Sequence, residues 1–113
     1  MTAEHIATAN LKATPHRGTI RIWLEGAKLA RAGFERYAKF SHEMAEDGAL
    51  ILRLDDDGDR AVSGRERNGK SLPIIDMHCK ECVAGFTGGR LDVIYGVDGE
   101  LGVIRITDAT NGN

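Results

Sequence analysis

The chain has 113 residues, 42% hydrophobic and 28% charged, with a formal net charge of −2. That length holds one domain with a modest core, and the acidic balance excludes a generic nucleic-acid coating protein, which needs a strongly basic surface to neutralise phosphates. Two cysteines are too few for a disulfide framework, no apolar run nears the roughly 20 residues that span a bilayer, and Met1–Ala13 lacks the cationic start and apolar centre of a signal peptide, so a reduced, cytoplasmic protein is expected.

Residues 1–18 are polar and rich in Ala and Thr, and read as a mobile arm with a short helix at Ala3–Leu11. Thr19–Leu24 alternates, with Ile20, Ile22 and Leu24 on one face, which predicts a strand. Glu25-Gly26 breaks it. Ala27–Ala32 is a short helix with Leu29 and Ala30 inward, stopped by Gly33, because the residue past a helix end often takes a positive φ. Phe34 then folds back as an apolar plug. Tyr37–Met44 alternates, with Ala38, Phe40 and Met44 on one side. Glu46-Asp47-Gly48 is a hairpin turn, and Ala49–Leu54 returns as a strand. Residues 55–71 are polar, charged and glycine-containing and read as a linker. Beyond it the pattern predicts a strand at Leu72–Asp76, a helix at His78–Ala84, a strand at Leu91–Val97, a turn at Asp98-Gly99 and a strand at Gly102–Thr107. Residues 108–113 form a frayed tail.

The same order occurs twice. Ala32-Gly33-Phe34 and Ala84-Gly85-Phe86 superpose at one offset, and at that offset Ile20 falls on Leu72, Ile22 on Ile74 and Lys28 on Lys80. The following strand needs one residue more, which sets Ala38, Phe40 and Met44 on Leu91, Val93 and Val97. A single domain over residues 19–107 follows, with repeat one at 19–54 and repeat two at 72–107. It is a β-rich α+β domain of two βαββ units arranged as an intramolecular pseudo-dimer.

Leu24-Glu25-Gly26-Ala27-Lys28-Leu29-Ala30-Arg31-Ala32-Gly33-Phe34, followed by the strand Ala49–Leu54, resembles the swapped-hairpin unit of the SpoVT–AbrB superfamily and within it SymE-like proteins. That resemblance implies interlocking hairpins, here closed within one chain as a monomeric pseudo-dimer or doubled as a homodimer. It also implies DNA binding as a regulator or antitoxin, or action on nucleic acid as a toxin. Val62–Lys70 followed by Pro73–Asp76 further resembles a domain of phages and mobile elements. Glu35-Arg36 replaces the glycine-rich turn usual after the Phe, and the net charge is acidic; both depart from the superfamily.

Several clusters carry candidate chemistry. Arg60, Arg65, Arg67 and Lys70 lie near Ser63, Asn68 and two glycines, a pattern that suits phosphates, although such mixed-sign stretches are more often solvated connectors. No aromatic is interleaved with them. Asp55-Asp56-Asp57-Gly58-Asp59 fails as a calcium loop, since Arg53 and Gly64 occupy its first and last places. It reads as an acidic turn or, more sharply, as a mimic of nucleic acid. Cys79 and Cys82 are half of a zinc signature, fall on Ala27 and Ala30 in the repeat, and read as small buried hydrophobes. Ser41 and His42 point to opposite faces of a strand and form no triad. Trp23 faces away from Ile20, Ile22 and Leu24; it marks a second packed layer, the preferred reading, or anchors a partner.

The expectation is a non-enzymatic nucleic-acid-binding protein of AbrB/SymE type, using Arg60, Arg65, Arg67 and Lys70 with Arg17 and Arg21, and needing no metal, cofactor or membrane. The rival is a small phage or mobile-element inhibitor of a host defence complex, anti-CRISPR or anti-restriction, contacting its target through Asp55, Asp56, Asp57 and Asp59. An RNA-cleaving toxin is disfavoured by the lack of an acid/base pair.

Overall fold

A computed structural model describes residues 4–81, 86, 89–98 and 101–109. Three strands come first: β1 at Glu4–Lys12, β2 at Thr14–His16 and β3 at Thr19–Glu25. The helix α1 follows at Ala27–Arg31, then β4 at Lys39–Met44 and β5 at Leu50–Leu54. The second half has β6 at Arg60–Ala61, β7 at Ser63–Arg67 and β8 at Lys70–Cys79, then β9 at Arg90–Asp98 and β10 at Leu101–Asp108. The strands form a six-stranded sheet, β1-β9-β10-β5-β4-β6, and a four-stranded sheet, β2-β3-β8-β7. The pairings are antiparallel throughout the described residues. The chain is thus a strand-rich small domain of antiparallel sheets; among the described residues it has one short α-helix, and no helix is long and apolar enough to cross a membrane.

The core lies between the two sheets. Ile20, Ile22 and Leu24 of β3, with Ile75, Met77 and Cys79 of β8, pack with Phe40, Leu50, Leu52, Leu91, Val93, Tyr95, Ile104 and Ile106 of the larger sheet. The local design around α1 follows the sequence. Gly33 takes φ 90°, its N–H donates to Ala30 O at 3.0 Å, and the Phe34 N–H donates to Leu29 O at 2.9 Å. These two bonds close the helix in a Schellman motif and turn Phe34 back into the core, where it is fully buried. Phe86, which the sequence pattern sets on Phe34, is buried as well.

Three expectations are corrected. Residues 1–18 do not form an arm with a helix at Ala3–Leu11: from Glu4 onward they are β1 and β2, and β1 pairs with β9 from Glu4↔Val97 to Lys12↔Arg90. Ala7, Ala9 and Leu11 face the core while Thr8, Asn10 and Lys12 are exposed. The alternation is real but is written in alanine, whose intrinsic preference is helical; cross-strand pairing overrides it. The stretch 55–71 is likewise no plain linker. It holds β6, β7 and the start of β8, with Val62 buried and a hairpin turn at Asn68-Gly69, φ 53° and 76°. Finally, His78 and Cys79 do not begin a helix, because β8 stays paired with β3 as far as Ile20↔Cys79. Lys80 and Glu81 follow the strand and are exposed, residues 82–84 of the expected second helix lie outside the described residues, and so does the turn at Asp98-Gly99 beyond Asp98.

The repeat needs one further adjustment. Its offset set Ile22 on Ile74 and so Leu24 on Asp76, but the row facing the core is Ile75, Met77 and Cys79, while Asp76 is exposed. The first strand is therefore out of phase by one residue, enough to invert its faces. The strand order itself is symmetric. Exchanging β1–β5 for β6–β10 turns the large sheet into β6-β4-β5-β10-β9-β1 and the small one into β7-β8-β3-β2, each its own reverse. The β2–β3 hairpin turns at Arg17-Gly18, φ 49° and 80°, as the β7–β8 hairpin does at Asn68-Gly69.

Candidate functional site

The outer face of the four-stranded sheet gathers most of the sequence-predicted cations. Because Ile20, Ile22 and Leu24 point inward, Arg21, Trp23 and Glu25 point outward. Register then lays out the face in rows: Thr14, Arg21 and His78; Trp23 with Asp76; Ser63, Ile74 and Glu25; Arg65 with Leu72; and Arg67 with Lys70 beside the turn.

Trp23 lies in the second of these rows, at the β3 side of the face, 38% exposed. The preferred expectation of a second packed layer over it does not hold among the described residues. β2 ends its pairing opposite Arg21, so the edge of β3 from Trp23 onward is open. Grooves flank the indole. One is lined by Ala9, Leu11, Leu24, Glu25, Ala27, Lys28 and Tyr95, the other by Leu11, Lys12, Thr14 and Arg21. Burial pushes the Tyr95 phenol up to about 12.

Arg21 is held in a bidentate pair with Asp76: Nε donates to Oδ1 at 2.9 Å and Nη2 to Oδ2 at 3.0 Å. These hydrogen bonds hold the Asp76 carboxyl below its usual range and raise the guanidinium. The same guanidinium lies 5.2 Å from the Trp23 ring centroid. Arg65 reaches across β8 to Glu25, Nη2 to Oε2 at 3.1 Å. Both pairs are exposed, and such pairs exchange partners at little net cost. Arg67 and Lys70 make no ion pair among the described residues.

The remaining predicted residues divide. Arg17 lies at the tip of the β2–β3 hairpin, at the opposite end of the sheet from Arg67 and Lys70, since β3 and β8 run antiparallel. Beside it the His16 and His78 rings are 5.1 Å apart. Arg60 belongs to the other sheet, where its Nε donates to His42 Nδ1 at 3.3 Å; it does not join the face. Asp55, Asp56, Asp57 and Asp59 form the turn from β5 to β6. There Asp55 Oδ1 accepts from the Asp57 N–H at 2.9 Å and Asp55 O from the Gly58 N–H at 2.8 Å. Asp55 is thus occupied in building the turn, while Asp56, Asp57 and Asp59 stand exposed. Cys79 is buried, and it is not a free thiol; Cys82 lies outside the described residues. Among those residues no group of three or more His, Cys, Asp or Glu is placed to hold a metal.

Sequence reasoning missed Lys12 and Lys28 as members of this surface. Lys12 fell in the supposed arm. Lys28 was read as outward, but nothing in the pattern brought α1 beside β1, where Lys28 Nζ donates to Thr8 O at 2.7 Å.

No protein-family model, curated protein or solved structure matches the chain.

Proposed function

We propose that this chain is a non-enzymatic nucleic-acid-binding protein of AbrB/SymE type, a duplicated swapped-hairpin unit that presents its four-stranded sheet to the ligand. One observation carries the reading. Lys12, Arg21, Lys28, Arg65, Arg67 and Lys70 gather on or beside one sheet face, where among the described residues Asp76 and Glu25 are the carboxylates paired with them, in a chain whose net charge is −2. A local basic face is what an acidic protein needs to approach phosphates. The duplication is supported by the reversible strand order and by the paired left-handed turns at Arg17-Gly18 and Asn68-Gly69. Each sheet interleaves strands of both halves, β3 on β8 and β5 on β10, as interlocked hairpins do.

The test is a titration of labelled DNA and RNA at two salt concentrations with wild type, the triple variant Arg65→Ala/Arg67→Ala/Lys70→Ala, and Arg60→Ala. Wild type should bind in a salt-sensitive way. The triple variant should bind more weakly, its salt slope reduced by about one unit per lost phosphate contact, and Arg60→Ala should bind as wild type. No binding by wild type at low salt removes this reading and turns the search to a host-protein target contacted through Asp56 and Asp59.

A further inference from the structure

We propose that the ligand is single-stranded nucleic acid and that Trp23 is the platform on which one of its bases stacks; this rests on the nucleic-acid reading and narrows it. Trp23 is the only tryptophan in the chain, and it sits on the solvent side of a sheet whose other side supplies the core. An indole left exposed at the edge of a cationic face has a use in stacking, because every base offers a π-face to an aromatic ring.

The surroundings fit an unpaired strand better than a duplex. One side of the indole is attended by the Arg21 guanidinium, 5.2 Å from the ring centroid, which also makes two hydrogen bonds to Asp76. The open edge of β3 leaves room beside the ring. The adjoining groove has apolar walls, Ala9, Leu11, Ala27 and Tyr95, with Lys28 among its lining, and Lys12 lines the second groove. Apolar walls take bases, and lysines take the phosphates between them. A duplex keeps its bases stacked within itself and offers chiefly phosphates; its affinity would rest on cations alone, and only Arg67 and Lys70 on the sheet face are without an ion-pair partner among the described residues. From the row of Trp23 and Asp76 along β8 to Lys70 is about 20 Å of strand, a track suited to a short single-strand site of roughly four nucleotides or more.

The experiment uses the full chain and reads Trp23 directly, since no other residue contributes indole fluorescence. A thymidine 12-mer, the same oligomer with abasic positions, and a blunt duplex of equal length are each titrated, with Trp23 emission and the anisotropy of a label on the nucleic acid followed together. The 12-mer should quench Trp23 and bind at least about tenfold tighter than the duplex, and the abasic oligomer should lose the quenching. Trp23→Ala should weaken 12-mer binding roughly 5- to 100-fold, as loss of one stacked base does, while Trp23→Phe retains most of it. The abasic comparison on wild type stands even if Trp23→Ala does not fold. Duplex binding equal to or tighter than the 12-mer overturns the single-strand inference and leaves nucleic-acid binding intact. Equal binding of abasic and normal oligomers overturns the stacking role. Absence of binding to all three overturns both.

Discussion

Gly102 of β10 lies directly against the carbonyl oxygen of Ala32, the residue that closes α1. A Cβ at this position would enter that oxygen and press on Leu54 Cδ1 at 3.1 Å. The obstacle is backbone tied into the helix end, so a rotamer change cannot relieve it. Gly102→Ala is expected to destabilise the fold by about 3 kcal/mol, read as a lowered urea midpoint. An unchanged midpoint would mean that α1 is not held against β10.

The two hairpin turns of the small sheet have the same handedness but unequal residues. Asn68-Gly69 suits positive φ at both places, whereas the equivalent turn sets Arg17 at φ 49°. Arg17→Asn should therefore stabilise the protein by about 1 kcal/mol, seen as a raised Tm. Loss of stability would show that the Arg17 side chain contributes something its turn geometry does not reveal.

Tyr95 sets an alkaline limit. Its phenol titrates near 10 in the unfolded chain and is raised by burial to about 12 in the folded one. Between those values the unfolded state has lost a proton that the folded state keeps, so stability is complete below pH 10 and falls as pH rises toward 12. The loss should reach about 2–3 kcal/mol. Denaturant unfolding at a series of pH values should show this decline in wild type and a reduced one in Tyr95→Phe.

Asp76 competes with any phosphate for Arg21. Removing its charge in Asp76→Asn should tighten nucleic-acid binding about threefold or more at low salt and steepen the salt dependence by about one unit. Glu25→Gln should do the same by releasing Arg65. Unchanged or weaker binding in both variants would place the ligand elsewhere than on this face.

The parts of the fold legible in the sequence are those whose two faces differ strongly. β3, α1 with its Gly33 stop and the Phe34 plug, β4, β9 and β10 carry their large buried side chains on one side, and β5 reads as a strand from its apolar run although Ile51 is buried on the opposite side from Leu50 and Leu52. β7 has no such contrast: every residue from Ser63 to Arg67 is exposed except half-buried Gly64, because an edge strand can be polar on both faces. Its one signal was Asn68-Gly69, a strong short-range hairpin marker that the surrounding charges obscured. β1 hid behind alanine. Of the candidate site, Arg21, Arg65, Arg67 and Lys70 lie on one face, an arrangement that depends on the β3–β8–β7 pairing and not on their spacing in the chain. Arg60 does not, since the buried Val62 separates β6 from β7 and sends them to different sheets. Trp23 was assigned to the correct side of its strand; what covers that side depends on the length of β2, which no local pattern encodes.

Pairing across the halves also dictates when the protein can fold as it is made. Leu11 finds its partner in Leu91, and β3 and β5 find theirs in β8 and β10. A ribosome that has reached Leu54 has completed the β2–β3 and β4–β5 hairpins, but β1 lacks β9 and the other edge of β3 lacks β8. The core around Ile20, Ile22 and Leu24 is complete only when Ile75, Met77 and Cys79 of β8 join it, so the edge of β3 that β8 covers stays open to other chains while the second half is being synthesised.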